Sequence, residues 1–306
     1  MRASLYLHFI IVINSSHSMQ ALRVSIVFGL LLVTTYFASF HCITLASPKA
    51  CQSPGVQHPH LSGAVVAQRL QTAYPNGIIS RTDTSITTAS GATFSTVDRA
   101  RPYSSHDDFD SFLDRATLAD MVDAHYNVGP MTHPPAVNED PGRARFTPFL
   151  EDLYGRSQAD VVSRCVSVPW VDGSAMRITT VNNVHLHLRS IVQELRSLPD
   201  VLPFLRKPGG SFNWRSIAGT TRRSAHAYGI AVDINVTRSD YWRTHISTTR
   251  EPLYRNRIPR SIVEVFERHG FIWGGRWYHF DTMHFEFRPE LCTPRCTCTA
   301  PSHGRY

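Results

Sequence analysis

Apolar and polar residues alternate along two stretches of this chain. In the first, Ile230, Val232, Ile234 and Val236 oppose Ala231, Asp233 and Asn235; in the second, Met283, Phe285 and Phe287 oppose His284 and Glu286. A period of two belongs to a strand with one buried face. Strands are therefore predicted over 230–236 and 283–287, with a shorter one over 271–273. Steps of three and four mark helices instead. Val184, Leu188, Ile191, Leu195 and Leu198 form a stripe that begins after Asn182 and Asn183 and stops at Pro199. Ile262, Val263 and Phe266 form another, with Pro259 in its first turn and Gly270 at its end, the usual asymmetry of helix termini. A looser stripe through Phe109, Phe112, Leu113, Ala116, Met121 and Val122 predicts a helix over 107–126, and a short helix is predicted at 157–167. Short strands interspersed with helices, without regular βαβ alternation and with no internal repeat, predict an α+β domain over residues 145–291.

Upstream the pattern changes. From Val24 to Pro48 there is no Asp, Glu, Lys or Arg, and the run VSIVFGLLLVTTYFASF follows Met19 and Arg23, the layout of an export signal. Residues 1–46 are expected to be an export signal or a membrane anchor. The TLAS stretch near Ala46 suits cleavage, and the run is also about long enough to span a bilayer, so both outcomes stay open. Leu5–Ile13 is apolar as well, which leaves Met1 and Met19 as alternative starts. Either way an exported chain of the periplasm or cell envelope is expected. Residues 47–105, rich in Ser, Thr, Ala, Pro, Gly and His, read as a low-complexity linker. Residues 106–144 read as a helical extension and 292–306 as a cysteine-containing tail.

Composition narrows the partners. The 306 residues carry 31 Lys and Arg against 24 Asp and Glu, a net charge of +7 with no block of like charge, which favours an anionic polymer or surface. Nucleic acid is set aside, because no basic helix, aromatic RNA motif or zinc-finger spacing accompanies the charge. Cys42 lies in the export segment, leaving Cys51, Cys165, Cys292, Cys296 and Cys298. In an oxidising compartment that odd number implies one or two disulfides and a thiol left over. The tail's C-x3-C-x-C lacks a fourth zinc ligand at a customary spacing. Nothing in the sequence reports oligomeric state.

The candidate chemistry begins with Asp233. A lone carboxylate on a largely covered strand is costly unless a cation or hydrogen bonds compensate it. His226 lies seven residues earlier, across a turn at Gly229 that can fold its imidazole back, and His284 stands on the polar face of the second strand. Pairing the strands would bring His226, Asp233 and His284 together. Two imidazoles and a carboxylate suit one Zn2+ ion, and three such ligands leave the open position of a hydrolytic site. Asp281, three residues before His284, is the candidate general base, taking a proton from water and passing it to the leaving amine. Glu286 stands about 7 Å along an extended strand from His284, and is assigned to orienting an imidazole. The ordinary alternative is a structural ion pair between Asp233 and Arg215, Arg222 or Arg223. Trp273 and Trp277 read as packing residues, and the N-V-T sequon at Asn235, inside a strand, as structural.

Taken together, S-x-H-x-x-G-x-A-x-D (Ser224, His226, Gly229, Ala231, Asp233), W-G-G-x-W (Trp273 to Trp277) and D-x-x-H-F-E (Asp281 to Glu286) resemble the zinc D-alanyl-D-alanine carboxypeptidase family. That family also contains the vancomycin-resistance dipeptidases and L-alanyl-D-glutamate endopeptidases. The resemblance covers about residues 145–291. It implies a hedgehog/DD-peptidase-like fold, a small antiparallel sheet carrying a zinc site and flanked by helices. It implies His226, Asp233 and His284 as zinc ligands and Asp281 as base, where Asp rather than Glu favours the endopeptidase-like branch. Arg215, in the context W-R-x-I-A-G-T, is implied to grip a substrate carboxylate or polarise its carbonyl, with Arg222 and Arg223 as alternatives. Ser224 either binds substrate or caps the turn. The implied function is a zinc metallopeptidase hydrolysing peptidoglycan stem peptides, of the D-alanyl-D-alanine carboxypeptidase or L-alanyl-D-glutamate endopeptidase type. The alternative is a non-catalytic, zinc-dependent module that binds cell-wall peptide, and Asp281 argues against it.

Overall fold

The computed structural model describes residues 60–100 and 106–292, all within one unit, Ser53–Tyr306. Its first elements correct an expectation. The stretch read as part of a linker folds into α1 (Gly63–Ala73) and a three-stranded antiparallel sheet of β1 (Ile78–Arg81), β2 (Ser85–Thr88) and β3 (Thr93–Ser95). Ser62 caps α1 by accepting from Val65 N. Val66, Ala67 and Leu70 form a narrow buried stripe, and Tyr74, Ile78 and Ile86 continue it. β2 and β3 carry Thr87, Thr88 and Thr93, and threonine scores as polar yet fits a pleated sheet because it is β-branched.

The helix expected over 107–126 is interrupted. It divides into α2 (His106–Arg115) and α3 (Leu118–Asp123), because Thr117 and Asp120 form a reciprocal capping box that starts a new helix. α4 (Thr147–Tyr154) follows, then α5 (Gln158–Ser163), capped in the same way by Ser157 and Asp160. The helix expected to reach 167 stops at Ser163, since Cys165–Pro169 is strand β4, paired antiparallel with β5 (Ala175–Thr179). α6 (Val184–Arg196) forms where its stripe predicts, burying Val184, Leu188, Ile191 and Leu195, and the short α7 (Leu202–Leu205) follows.

The sheet that matters for function has the order β6-β7-β9-β8, all antiparallel. Its strands are β6 (Pro208–Gly210), β7 (Ala231–Asn235), β8 (Phe271–Trp273) and β9 (His284–Phe287). α8 (Arg260–Arg268) precedes β8, and α9 (Pro289–Cys292) ends the described chain. The α+β class with small antiparallel sheets is thus the observed architecture. One core joins both regions, running from Val66 on α1 to Phe287 on β9. Within it Phe266 of α8 stacks on Phe285 of β9 at 3.9 Å, and Trp170, fully buried, donates its Nε1–H to Leu205 O at 2.7 Å. Each such side chain is worth about 1.5–3 kcal/mol of burial. Cys165 and Cys292 are free thiols. Residues 1–46, expected to be an export signal or anchor, residues 47–59, and the tail cysteines Cys296 and Cys298 lie outside the described residues, and among those described no helix is long and apolar enough to cross a membrane.

Candidate metal centre

His226 is presented by a single tight turn. Residues Ala225–Tyr228 form a 3-10 helix capped by Ser224, whose hydroxyl accepts from His226 N, and the turn closes at Gly229 with φ 66°. A β-carbon at Gly229 would stand 3.0 Å from Cys165 Sγ and 3.1 Å from Thr179 N, so both the backbone angle and the space demand glycine. Past the fully buried Ile230 the chain enters β7, where Val232 and Ile234 are fully buried and Asp233 points to the opposite face. Antiparallel pairing sets Asp233 directly across from His284 of β9.

Three side chains converge as a result. His284 Nδ1 lies 3.0 Å from Asp233 Oδ1, His226 Nε2 3.2 Å from Asp233 Oδ2, and the two imidazole nitrogens 3.2 Å from each other. One ligand atom from each of the three fits within 4.8 Å of the others. Both histidines and the acid are largely buried, with Asp233 keeping 20% of its side-chain exposure. The ion-pair partners of Asp233 are these histidines, which removes the reading of an ordinary arginine pair. Arg222 is instead gripped by Asp110 and Asp114 at 2.6 Å each, and Arg223 lies over the Trp214 ring at 4.1 Å.

The outer nitrogens decide whether a cation fits. His226 Nδ1 is 2.6 Å from the carbonyl of Ser211, which can only accept, so Nδ1 carries the hydrogen. His284 Nε2 faces Glu286 Oε2 at 3.4 Å, and a carboxylate likewise accepts. In the neutral rings, then, His226 Nε2 and His284 Nδ1 turn lone pairs toward each other and toward a carboxylate. Such an arrangement is repulsive without a positive charge in its midst, and two nitrogens with one oxygen form a donor set of the kind zinc takes. Glu286 thus reaches His284 despite the strand spacing, in the supporting place expected of it.

In the metal-free chain a proton on His284 supplies that positive charge instead. Burial opposes ionisation of Asp233, but the His226 charge and hydrogen bonds from both histidines hold its carboxyl far below the usual range. For His284 burial acts downward, yet hydrogen bonds to Asp233 and Glu286 and the Asp233 charge carry it up to about 9. Glu286, fully buried, is kept well below the usual carboxylate range by the charge and hydrogen bonds of Arg145. Asp281 behaves oppositely. Its backbone is fixed by Asp281 N donating to Gly274 O at 3.0 Å and by His284 N donating to Asp281 O at 3.2 Å. Its Oδ1 is buried without a hydrogen-bond partner, and burial together with nearby Asp233 raises its carboxyl to about 6.

Of the residues expected to touch substrate, neither joins the cluster. Arg215 is exposed and its Nη1 donates to Ser216 O at 3.4 Å. Ser224 is buried and its hydroxyl serves the turn. Trp273 and Trp277 donate to backbone carbonyls of Thr282 and Pro141 and pack in the interior. Asn235 is buried, with Oδ1 accepting from Thr237 N at 2.9 Å, in keeping with a structural sequon. Sequence reasoning missed Ser211, Arg143 and Arg145. Arg143 donates to His279 O at 2.9 Å and lies 5.2 Å over the Trp277 ring, and its charge acts on Asp281. None of the three sits in a local pattern that announces a site; each arrives from a distant loop or turn.

Comparison with known proteins bears on the same stretch. A peptidase family model described as D-alanyl-D-alanine carboxypeptidase matches residues 218–287. No curated protein and no solved structure matched the chain. The matched stretch carries His226, Asp233, Asp281 and His284 and excludes Arg143, Arg145, Ser211 and Arg215, so this chain is similar to that peptidase family where the candidate metal centre lies.

Proposed function

We propose that this chain is an exported zinc metallopeptidase that hydrolyses peptidoglycan stem peptides, as a D-alanyl-D-alanine carboxypeptidase or an L-alanyl-D-glutamate endopeptidase. The observation that carries the proposal is the convergence of His226, Asp233 and His284 inside the peptidase-like stretch, with an unpartnered Asp281 oxygen beside them. When bound, zinc supplies Lewis-acid activation of a carbonyl and of water at neutral pH. The protein supplies the rest. Ser211 and Glu286 fix the two rings so that the correct nitrogens face inward. Asp281, whose Oδ1 is buried without a hydrogen-bond partner, is placed to accept a proton from the attacking water and to return it to the departing amine. Arg215, exposed and tied only to a neighbouring carbonyl, is free to receive a substrate carboxylate through its fork. A non-catalytic wall-binding module would have no use for a carboxylate left without a partner at that place.

The test is direct. Full-length chain incubated with zinc and purified stem peptides should shorten them, read by mass spectrometry, and a chelator should stop it; loss of a terminal D-alanine or scission between L-alanine and D-glutamate assigns the bond. Peptides left whole by zinc-loaded protein would remove the proposal. Export is supported by the charge-free run from Val24 to Pro48, and recovery of the chain only from cytosol after cell fractionation would count against it.

A further inference from the structure

Glu286 is fully buried, on the strand that carries His284. A carboxylate taken out of water is tolerated only when its oxygens are matched by positive charge and donors. Arg145 provides both, through two parallel bonds: Nε donates to Oε1 at 2.7 Å and Nη2 donates to Oε2. A fork of this kind fixes the plane of the carboxylate as well as its charge. Oε2 is the same oxygen that receives His284 Nε2. The other arginine nearby, Arg288, approaches only Oε1, at 3.5 Å, and is occupied by Glu290, Gly142 O and Met121 O. Arg145 is thus the side chain that turns Glu286 toward the imidazole. It comes from the segment leading into α4, outside the stretch that matches the peptidase family.

We propose that Arg145 is a positioning residue of the metal centre, acting through Glu286 to hold the His284 ring with Nδ1 toward the ion. This rests on the zinc reading above. Without the fork, the buried carboxylate would swing toward Arg288 and release His284 Nε2, and a ring free to rotate holds a metal less well. Supporting partners of metal-bound histidines typically contribute about 10–100-fold in affinity.

The experiment measures Zn2+ affinity of the metal-free full chain by competition with a chromophoric chelator, with near-UV circular dichroism as a check on packing. Arg145→Gln should bind zinc about 10–100-fold more weakly than the unaltered chain, Glu286→Gln should lose a similar factor, and the double variant should be no weaker than Glu286→Gln alone. Arg145→Lys, which restores the charge without the fork, should fall between the unaltered chain and Arg145→Gln. Affinity within about twofold of the unaltered chain in Arg145→Gln would overturn the inference, as would a double variant losing the product of both factors. If Arg145→Gln fails to pack, Arg145→Lys decides: intermediate affinity supports the role and unaltered affinity overturns it. An unaltered chain that binds no zinc would instead defeat the functional reading itself.

Discussion

Replacing Asp281 by Asn separates catalysis from everything else the centre does. The side chains are nearly isosteric, Oδ1 has no hydrogen-bond partner to lose, and the cluster that would hold the ion is made of His226, Asp233 and His284 without it. Zinc stoichiometry and fold should therefore be retained. Removal of a general base costs about 10²–10⁴ in rate, which is about 3–5 kcal/mol of transition-state stabilisation. Stability should move the other way. In the metal-free chain the Asp281 carboxyl stands at about 6 against an ordinary 3.8, so the folded state holds its proton more tightly than the unfolded state does. The wild-type chain then loses stability as pH rises from about 4 through about 6, and the asparagine variant does not. Two pH units correspond to at most about 3 kcal/mol, and partial exposure of Asp281 reduces this to roughly 1–2 kcal/mol. At pH 7 the metal-free variant should melt a few degrees higher than wild type, at about 2–4 °C per kcal/mol for a domain of this size, and the gap should close by pH 4. Stem-peptide turnover, zinc titration and calorimetry at the two pH values give the three readouts. Turnover above a tenth of wild type, or loss of zinc, would refute the assignment of Asp281 as base.

Other consequences follow from the same geometry. Chelating the zinc-loaded chain should abolish turnover while leaving the near-UV circular dichroism in place, since Val232, Ile234 and Phe285 bury their side chains in a core that needs no ion; unfolding on chelation would indicate a structural metal instead. Gly229→Ala should cost about 1 kcal/mol or more from its φ of 66° and the 3.0 Å approach to Cys165 Sγ, and should weaken zinc binding because the same turn presents His226; an unchanged melting temperature would contradict this. Glu267→Gln leaves buried Arg276 without its counter-charge, now met at 2.6 Å, and also disturbs Tyr126 OH at 2.6 Å. A loss of about 3–5 kcal/mol in urea unfolding is expected, and a loss below about 1 kcal/mol would show that the pair is dispensable.

How much of this the sequence disclosed depended on range. The period of two around Asp233 and His284 gave both faces of β7 and β9, and helical stripes gave α6 and α8, because burial imprints itself on neighbouring residues. The spacing from His226 through Gly229 to Asp233 was legible for the same reason. Residues 63–95 hide their fold because their core positions, Val66, Ala67, Leu70, Tyr74, Ile78 and Ile86, are few and widely spaced, and threonine disguises strands as linker. The Thr117 and Asp120 cap outranks the looser helical stripe over 107–126, and the pairing of Val166 with β5 outranks the last turn of the helix expected over 157–167. Arg145 could not be found locally at all: its partner Glu286 lies 141 positions away, and an ion pair of that separation leaves no trace in either segment.

Asp233 and His284 face each other across one β pair, and that placement makes the ion a gauge of strand registry. Sliding β9 past β7 by a single residue would send His284 into the oily underside and bring Phe285 up opposite the carboxylate. Zinc uptake during refolding would then time the moment at which these two strands lock, and a misaligned chain would be revealed by failing to take it up.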